Sequence, residues 1–282
     1  MNDGVENTGK NRGTVVFDIG GTHMRAAYSA DGETIGPVTV ENTPQDFGAA
    51  RDLLDRMAKE VSAGREVNLI SVALAGTHED GKVLSSKNLK GWDGADIGNA
   101  FADALPSTGV ILNNDAAAAC VGEAVKGAGV GYKIVGYITV GTGIGGARVV
   151  NGELDAEHYG SEPGKAILDA KTGSTFEDLA SGKAIMKKYG KRLSEITDNG
   201  DLNHIADVMA AGLSNVVTAW SPDVLVIGGG AIVDSPHFVE VLRPKFKAMT
   251  EKSFPTAPKL KVAELGDRAG LIGALLLANS DK

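Results

Sequence analysis

The stretch VVFDIGGTHMRAAYSADG, residues 15–32, decides the fold, because its plan returns in YITVGTGIGGARVVNG at residues 137–152. In the first copy Val15–Ile19 is an apolar run interrupted only by Asp18 and reads as a buried strand. Gly20-Gly21 turns the chain, His23–Ala30 alternates as a second strand, and Asp31-Gly32 is a hairpin signal. In the second copy Ile134–Val140 is the strand, Gly141–Gly146 the glycine turn, Ala147–Val150 the returning strand and Asn151-Gly152 the hairpin. A repeat of strand, glycine turn, strand and hairpin at a spacing of about 120 residues points to two similar α/β domains facing each other across a cleft.

Working outward, Glu33–Glu41 is expected as a third strand, followed by a helix from Thr43-Pro44 to Ala63 with Phe47, Ala50, Leu54, Met57 and Val61 on one face. Strand Val67–Leu74, helix Ile97–Leu105, strand Val110–Leu112 and a helix from Ala116 to Val125 complete the first half. After the second copy come helix Asn203–Trp220, strand Val224–Ile227, helix Pro236–Lys252, strand Leu260–Leu265 and helix Ala269–Ala278. Residues 153–175 carry no usable periodicity. The expected division is a disordered tail over 1–13, a small domain over 14–114, a large domain over 115–266, and a last helix over 267–282 that packs back toward the small domain.

Apolar residues make up 43% of the 282-residue chain and charged residues 23%, the balance of a protein with a sizeable core. A net charge of -8 argues against nucleic acid or an anionic membrane as partner. The most apolar run, Ala269–Ala278, is about half the length a membrane span needs. The polar start lacks the apolar core of a signal peptide, so the expected location is the cytoplasm. One cysteine, Cys120, excludes an internal disulfide and any multi-cysteine zinc site.

Four segments can carry chemistry. Asp18-Ile19-Gly20-Gly21-Thr22 puts a carboxylate at a strand end before a turn without side chains, where backbone N–H groups can meet phosphate, Thr22 can add a hydroxyl, and Asp18 can hold hydrated Mg²⁺. An ordinary hairpin with a solvated Asp explains the same residues. Gly141-Thr142-Gly143-Ile144-Gly145-Gly146 fits G-x-G-x-x-G, but a dinucleotide fingerprint needs a helix after the glycines, and here a hairpin follows. As the partner of the first turn it reads as a second phosphate clamp, with Thr142 and Gly143 at its centre. Asp115, after Asn113-Asn114, is either the N-cap of a helix or a base that takes a hydroxyl proton. Gly229 and Gly230, in GGGA after strand 224–227, either admit a flat ring or make a plain strand-to-helix turn.

With these segments in order, the chain resembles the ROK family of sugar kinases and sugar-responsive repressors, of the actin/hexokinase-like (ribonuclease H-like) fold, from Thr14 to about Ala278. DIGGT and VGTGIGGARVVNGEL look like its two phosphate motifs, NNDAAAACVGEA like its catalytic segment, and NLKGW (Asn88–Trp92) like its sugar loop, with Lys87 where proline is usual. VIGGGAI and AGLIGALLLA match as well. The resemblance implies an ATP- and Mg²⁺-dependent hexose kinase, a glucokinase by preference, with Asp115 as base. It puts Asn88, Asn114, Asp115, Glu162 and Glu177 at the sugar, Asp18, Gly20, Gly21, Thr22, Thr142, Gly143, Gly229 and Gly230 at the nucleotide, and implies a homodimer. Another sugar, a polyphosphate donor, a sugar-sensing protein without activity and an actin-like assembly ATPase are the alternatives. A long basic groove would favour polyphosphate, and the sequence has no run of lysines suited to one; thirteen polar residues before the first strand cannot supply a helix-turn-helix.

Two departures from the family pattern matter. Its E-x-G-H motif reads Glu162-Pro163-Gly164-Lys165, and its cysteine knuckle for zinc is absent. No structural zinc is therefore expected: protonated lysine is a poor ligand, and of the histidines only His158 lies near the altered segment. Lys165 can take the sugar-side place of the histidine and pair with Glu162 or Glu177, or simply point into solvent.

Overall fold

A computed structural model describes residues 13–102, 105–106, 108–155 and 160–280; the tail over 1–12 and His158 lie outside the described residues. The chain divides into two units, one running to Gly122 and resumed at Arg268, the other Glu123–Asp267. The division falls inside a helix that begins at Asp115, where the sequence alone suggested a boundary ahead of it.

The first unit holds β1 (Thr14–Ile19), β2 (His23–Ser29), β3 (Thr39–Asn42), α1 (Phe47–Ser62), β4 (Leu69–Leu74), the small hairpin β5 (Thr77–Glu79) and β6 (Lys82–Ser85), β7 (Gly109–Asn114) and the start of α2 (Asp115–Lys126). The second holds β8 (Ile134–Val140), β9 (Ile144–Val150), β10 (Glu153–Leu154), β11 (Ile167–Asp169), β12 (Ser174–Thr175), α3 (Phe176–Ala180), α4 (Gly182–Tyr189), α5 (Asn199–Trp220), β13 (Val224–Gly228), α6 (Gly230–Val233), α7 (Pro236–Thr250) and β14 (Lys259–Val262). The chain then closes the first unit with α8 (Ala269–Ala278). The sheet orders are β3-β2-β1-β4-β7 and β10-β9-β8-β13-β14. In each, two antiparallel pairs are followed by two parallel ones. The repeat in the sequence is thus a repeat of topology.

Strand alternation explains how each face of the first sheet is covered. Val15, Phe17 and Ile19 join the cluster that α1 closes with Ala50, Leu54, Met57 and Val61. Val16, on the opposite face, packs with Ala27 and Ala73 against Leu271, Ala274 and Leu275 of α8. A sheet covered on both faces needs near-continuous apolar strands, which is how Val15–Ile19 reads. Asp18 shares the face of Val16, and so is directed toward α8. In the second unit α5 and α7 bury Met209, Leu213, Phe238, Leu242 and Phe246 with Ile138, Leu225 and Ile227 of the sheet.

α2 and α8 meet backbone to backbone. A Cβ on Gly122 would lie 2.5 Å from the Ala269 carbonyl oxygen, and one on Gly273 would overlap the Ala118 carbonyl. The alanines and glycines of both helices are what so close a crossing requires.

Several expected elements are corrected. Ile97–Ala102 makes turns and not a helix, because the Gly81 carbonyl takes the amides of both Ile97 and Gly98 and so ties the segment to the β5–β6 hairpin. The third strand starts at Thr39, since Asp31 Oδ1 accepts from the amides of Glu33 and Thr34 and Pro37 has no N–H for a ladder. Those same bonds hold the Asp31 carboxyl well below its usual range. α1 begins at Phe47, capped by Asp46, because the Thr43 amide is bonded to Thr22 instead. The second glycine turn spans only Gly141–Gly143, with Ile144–Gly146 already paired in β9, and β14 ends at Val262.

Candidate active site

In the first unit the turn Gly20–Thr22 is held by its carbonyls. Thr43 Oγ1 donates to Gly20 O at 2.8 Å, Gln45 Nε2 to Gly21 O at 3.1 Å, and the Thr43 amide to Thr22 O at 2.9 Å. The amides of Gly21 and Thr22 have no acceptor among the described residues, a geometry that leaves them able to donate to an anion. Thr43 and Gln45 were not foreseen; nothing local in TPQ announces a bond to a turn more than twenty residues earlier.

Asp18 stands over the start of α8. A Cβ on Gly270 would fall 2.6 Å from its Cγ, so the bare glycine makes room for the carboxylate, and the helix N-terminus favours its negative charge. Gly21 likewise makes room for Asn88, whose Cβ would be 2.6 Å away. The loop carrying Asn88 is anchored by Leu89 and Trp92, both fully buried, with the indole N–H donating to Pro44 O at 3.0 Å. Asn88 and the turn Gly20–Thr22 are therefore neighbours.

At the end of β7 the cap of α2 falls to Asn114. Asn114 Oδ1 accepts from the amides of Ala116 and Ala117 at 2.9 and 3.1 Å, while its Nδ2 donates to Gly76 O at 3.2 Å. Asn114 is thus the helix cap, and Asp115 is the first helical residue, part-buried, with Oδ1 near the Ala116 amide. Asn114 is brought to the site, but its side chain is engaged by the fold. His78 in β5 bonds the Asn113 backbone; burial pushes its pKa below the ordinary value, more than this bond raises it.

In the second unit, Gly141 N bonds Gly143 O at 2.9 Å and Gly182 N bonds Gly141 O at 2.8 Å. The amides of Thr142 and Gly143 have no acceptor among the described residues. Glu177, at the head of α3, closes on this turn: Oε2 accepts from Ile144 N at 2.9 Å, and its carboxylate fills the space a side chain on Gly143 would need. Lys165 Nζ donates to Glu177 Oε1 at 2.7 Å, so this residue pairs and does not simply point into solvent. Gly164 lies against the Ile144 carbonyl, which fixes the 162–165 loop beside the turn, with the side chain of Glu162 exposed. Gly229 has φ +84° and would meet Val140 O at 2.5 Å, a packing reason for glycine that holds without any ligand. Gly230 has only Asp234 Oδ2 nearby, at 3.8 Å, and is the open member of the pair.

Glu123, within NNDAAAACVGEA, is fully buried and accepts from the amides of Ala128, Glu264 and Leu265. It anchors loops. Among the described residues no cluster of His, Cys, Asp and Glu could hold a metal, and no helix is long and apolar enough to cross a membrane.

With this geometry in hand, the comparisons are consistent. A model of the ROK family matches residues 14–281. The glucokinase of Thermotoga maritima is 27% identical over 91% of this chain and 94% of its own length. The crystal structure of a ROK hexokinase from Thermus thermophilus superposes with a TM-score of 0.81 at 28% identity, covering 96% of this chain and all of that one. A ROK family glucokinase from Streptomyces griseus, solved with glucose and AMPPNP, has a TM-score of 0.82 at 24% identity over 94% of this chain and 98% of its own.

Proposed function

The chain belongs to the ROK family, and from that premise we propose that it is an ATP-dependent glucokinase, moving the γ-phosphoryl group to the 6-hydroxyl of glucose with Asp115 as general base. The observation that carries the reading is that Asn114 caps α2, so capping does not account for Asp115. An Asp with a reference pKa of about 3.9 is a weak base, but phosphoryl transfer passes through a loose transition state in which the hydroxyl becomes acidic only as its bond to phosphorus forms. Positioning and charge do most of the work.

Asn88, Asn114 and Glu162 are proposed to hold the sugar hydroxyls, whose unpaired loss would penalise a wrong sugar, while the Glu177 carboxylate is taken up by Ile144 N and Lys165. The amides of Gly21, Thr22, Thr142 and Gly143 receive the donor phosphates, and Gly230 admits the adenosine. Asp18 would hold Mg²⁺ through water; a carboxylate beside an anion-binding turn suits a cation that keeps most of its hydration shell. The ion would neutralise charge on the phosphate oxygens. We place the protein in the cytoplasm, as a homodimer feeding hexose 6-phosphate to glycolysis, without structural zinc.

The test is a coupled ADP-release assay across glucose, mannose, fructose, N-acetylmannosamine, N-acetylglucosamine and allose. Glucose should give the highest kcat/KM. No ADP release above the sugar-free background with any of them would end the kinase reading, and a different favourite sugar would end the glucokinase one. Stoichiometric zinc whose removal abolishes activity would defeat the metal assignment.

A further inference from the structure

We infer that Lys165 is a positioning residue for the phosphate donor, acting through Glu177, and not a contact for the sugar; the inference rests on the kinase reading of the same site. Three segments far apart in sequence interlock around the Glu177 carboxylate. Lys165 holds Oε1 at 2.7 Å. Ile144 N, the first amide after the turn Gly141–Gly143, is held by Oε2 at 2.9 Å. Gly143 is bare because this carboxylate occupies the place of its side chain, and Gly164 is bare because the Ile144 carbonyl occupies the place of its own.

The pair is built to hold a position. The Glu177 side chain is 19% exposed and Lys165 is 37% exposed, so the bond is only partly screened by water. α3 has five residues, too few to fix its own first turn by helix bonds alone, although its Thr175–Asp178 capping box helps. A charge-assisted bond to a mostly buried carboxylate is among the stronger local restraints available. Without the ammonium, Glu177 is drawn toward water, Ile144 loses its acceptor, and the turn that presents the Thr142 and Gly143 amides loosens. Glu162, exposed on the same loop, keeps its place for the sugar.

The experiment is calorimetry with AMPPNP alone and with glucose alone. Lys165→Met keeps most of the stem and removes the charge; it is expected to weaken AMPPNP about tenfold while glucose affinity moves less than about twofold. Lys165→Arg, which can reach the same carboxylate, is expected to restore AMPPNP to within about threefold of the unsubstituted protein. Glu177→Gln tests the same link from the other side, and on AMPPNP affinity its effect should not add to that of Lys165→Met. Unchanged AMPPNP affinity in Lys165→Met, additive effects in the double variant, or a loss of glucose affinity as large as that of AMPPNP would each overturn the inference. Those outcomes leave hexose-dependent ADP release by the unsubstituted protein intact, whereas failure of the kinase reading shows as its absence.

Discussion

The two units correspond position by position at their turns: Ile19 to Val140, Gly20–Thr22 to Gly141–Gly143, and His23–Ser29 to Ile144–Val150. In each, the second and third turn amides lack an acceptor among the described residues, and one glycine makes room for a neighbour, Gly21 for Asn88 and Gly143 for Glu177. The chemistry is not duplicated. Where β1 has Asp18, β8 has Thr139; where β7 runs into Asp115, β14 runs into Ala263 and a Glu264 whose amide serves Glu123. Repetition has preserved the turns proposed to cradle phosphate, while the groups proposed to handle proton and metal sit in one unit only.

The largest expected effect tests that asymmetry directly. Asp115→Asn should lower kcat on the order of 10²–10⁴-fold with glucose and AMPPNP affinity kept. A folded variant that retains most of its activity would remove the base. Next, Asp18→Asn should cost about 10–10²-fold in kcat/KM and raise the Mg²⁺ concentration needed for half activity, since a charged group near the phosphates is lost. Thr139→Val, its counterpart, should stay within about threefold. Equal losses at both positions would mean that the units are more alike than their residues.

The cradle itself is best probed at Gly20 and Gly141. Neither has left-handed φ; a Cβ on Gly20 would meet only His23 O at 3.5 Å, and one on Gly141 nothing within 4 Å. Gly20→Ala and Gly141→Ala should therefore fold normally, and each should weaken AMPPNP roughly fivefold if phosphate approaches that closely. Gly21→Val and Gly143→Val would not be selective, because they would displace Asn88 and Glu177.

The smallest effects concern stability at the end of β7. Asn114→Ala should cost about 1 kcal/mol, read as a lower Tm in a thermal melt, since the cap at Ala116 and Ala117 is lost. For His78, burial depresses the folded pKa below the ordinary 6.5, so the unfolded chain binds the proton first. Its share of stability is complete above pH 6.5 and is lost as pH falls through the folded pKa. His78→Gln should flatten that part of a Tm-against-pH curve, and an unchanged slope would show that His78 is not the group responsible.

Legibility followed the range of the interactions. The paired strands and turns were readable because apolar runs and glycines are local signals, and topology confirmed them. Ile97–Ala102 has helical composition, yet a carbonyl from Gly81 decides its turns. Asn114 and Asp115 are both good caps, so sequence alone could not choose; the second bond to Asn114, from the Ala117 amide, marks it as the cap. Lys165 and Glu177 were named from the resemblance, but their link to Ile144 was hidden because residues 153–175 lack periodicity, being loops and two-to-three-residue strands. Gly270 was readable as part of a closing motif and not as the seat of Asp18.

The crossing of α2 and α8 bears on how such chains are recognised. Much of what makes AAAACVG and AGLIGALLLA conspicuous is the clearance demanded by two backbones touching at Gly122 and Gly273. A comparison drawn to those small residues detects a steric signature. It would register just as strongly in a chain that kept the crossing and carried asparagine at position 115, a protein with the same outline and without the proposed base. Within that segment, the resemblance vouches for the scaffold, and the proposed chemistry rests on a single carboxylate.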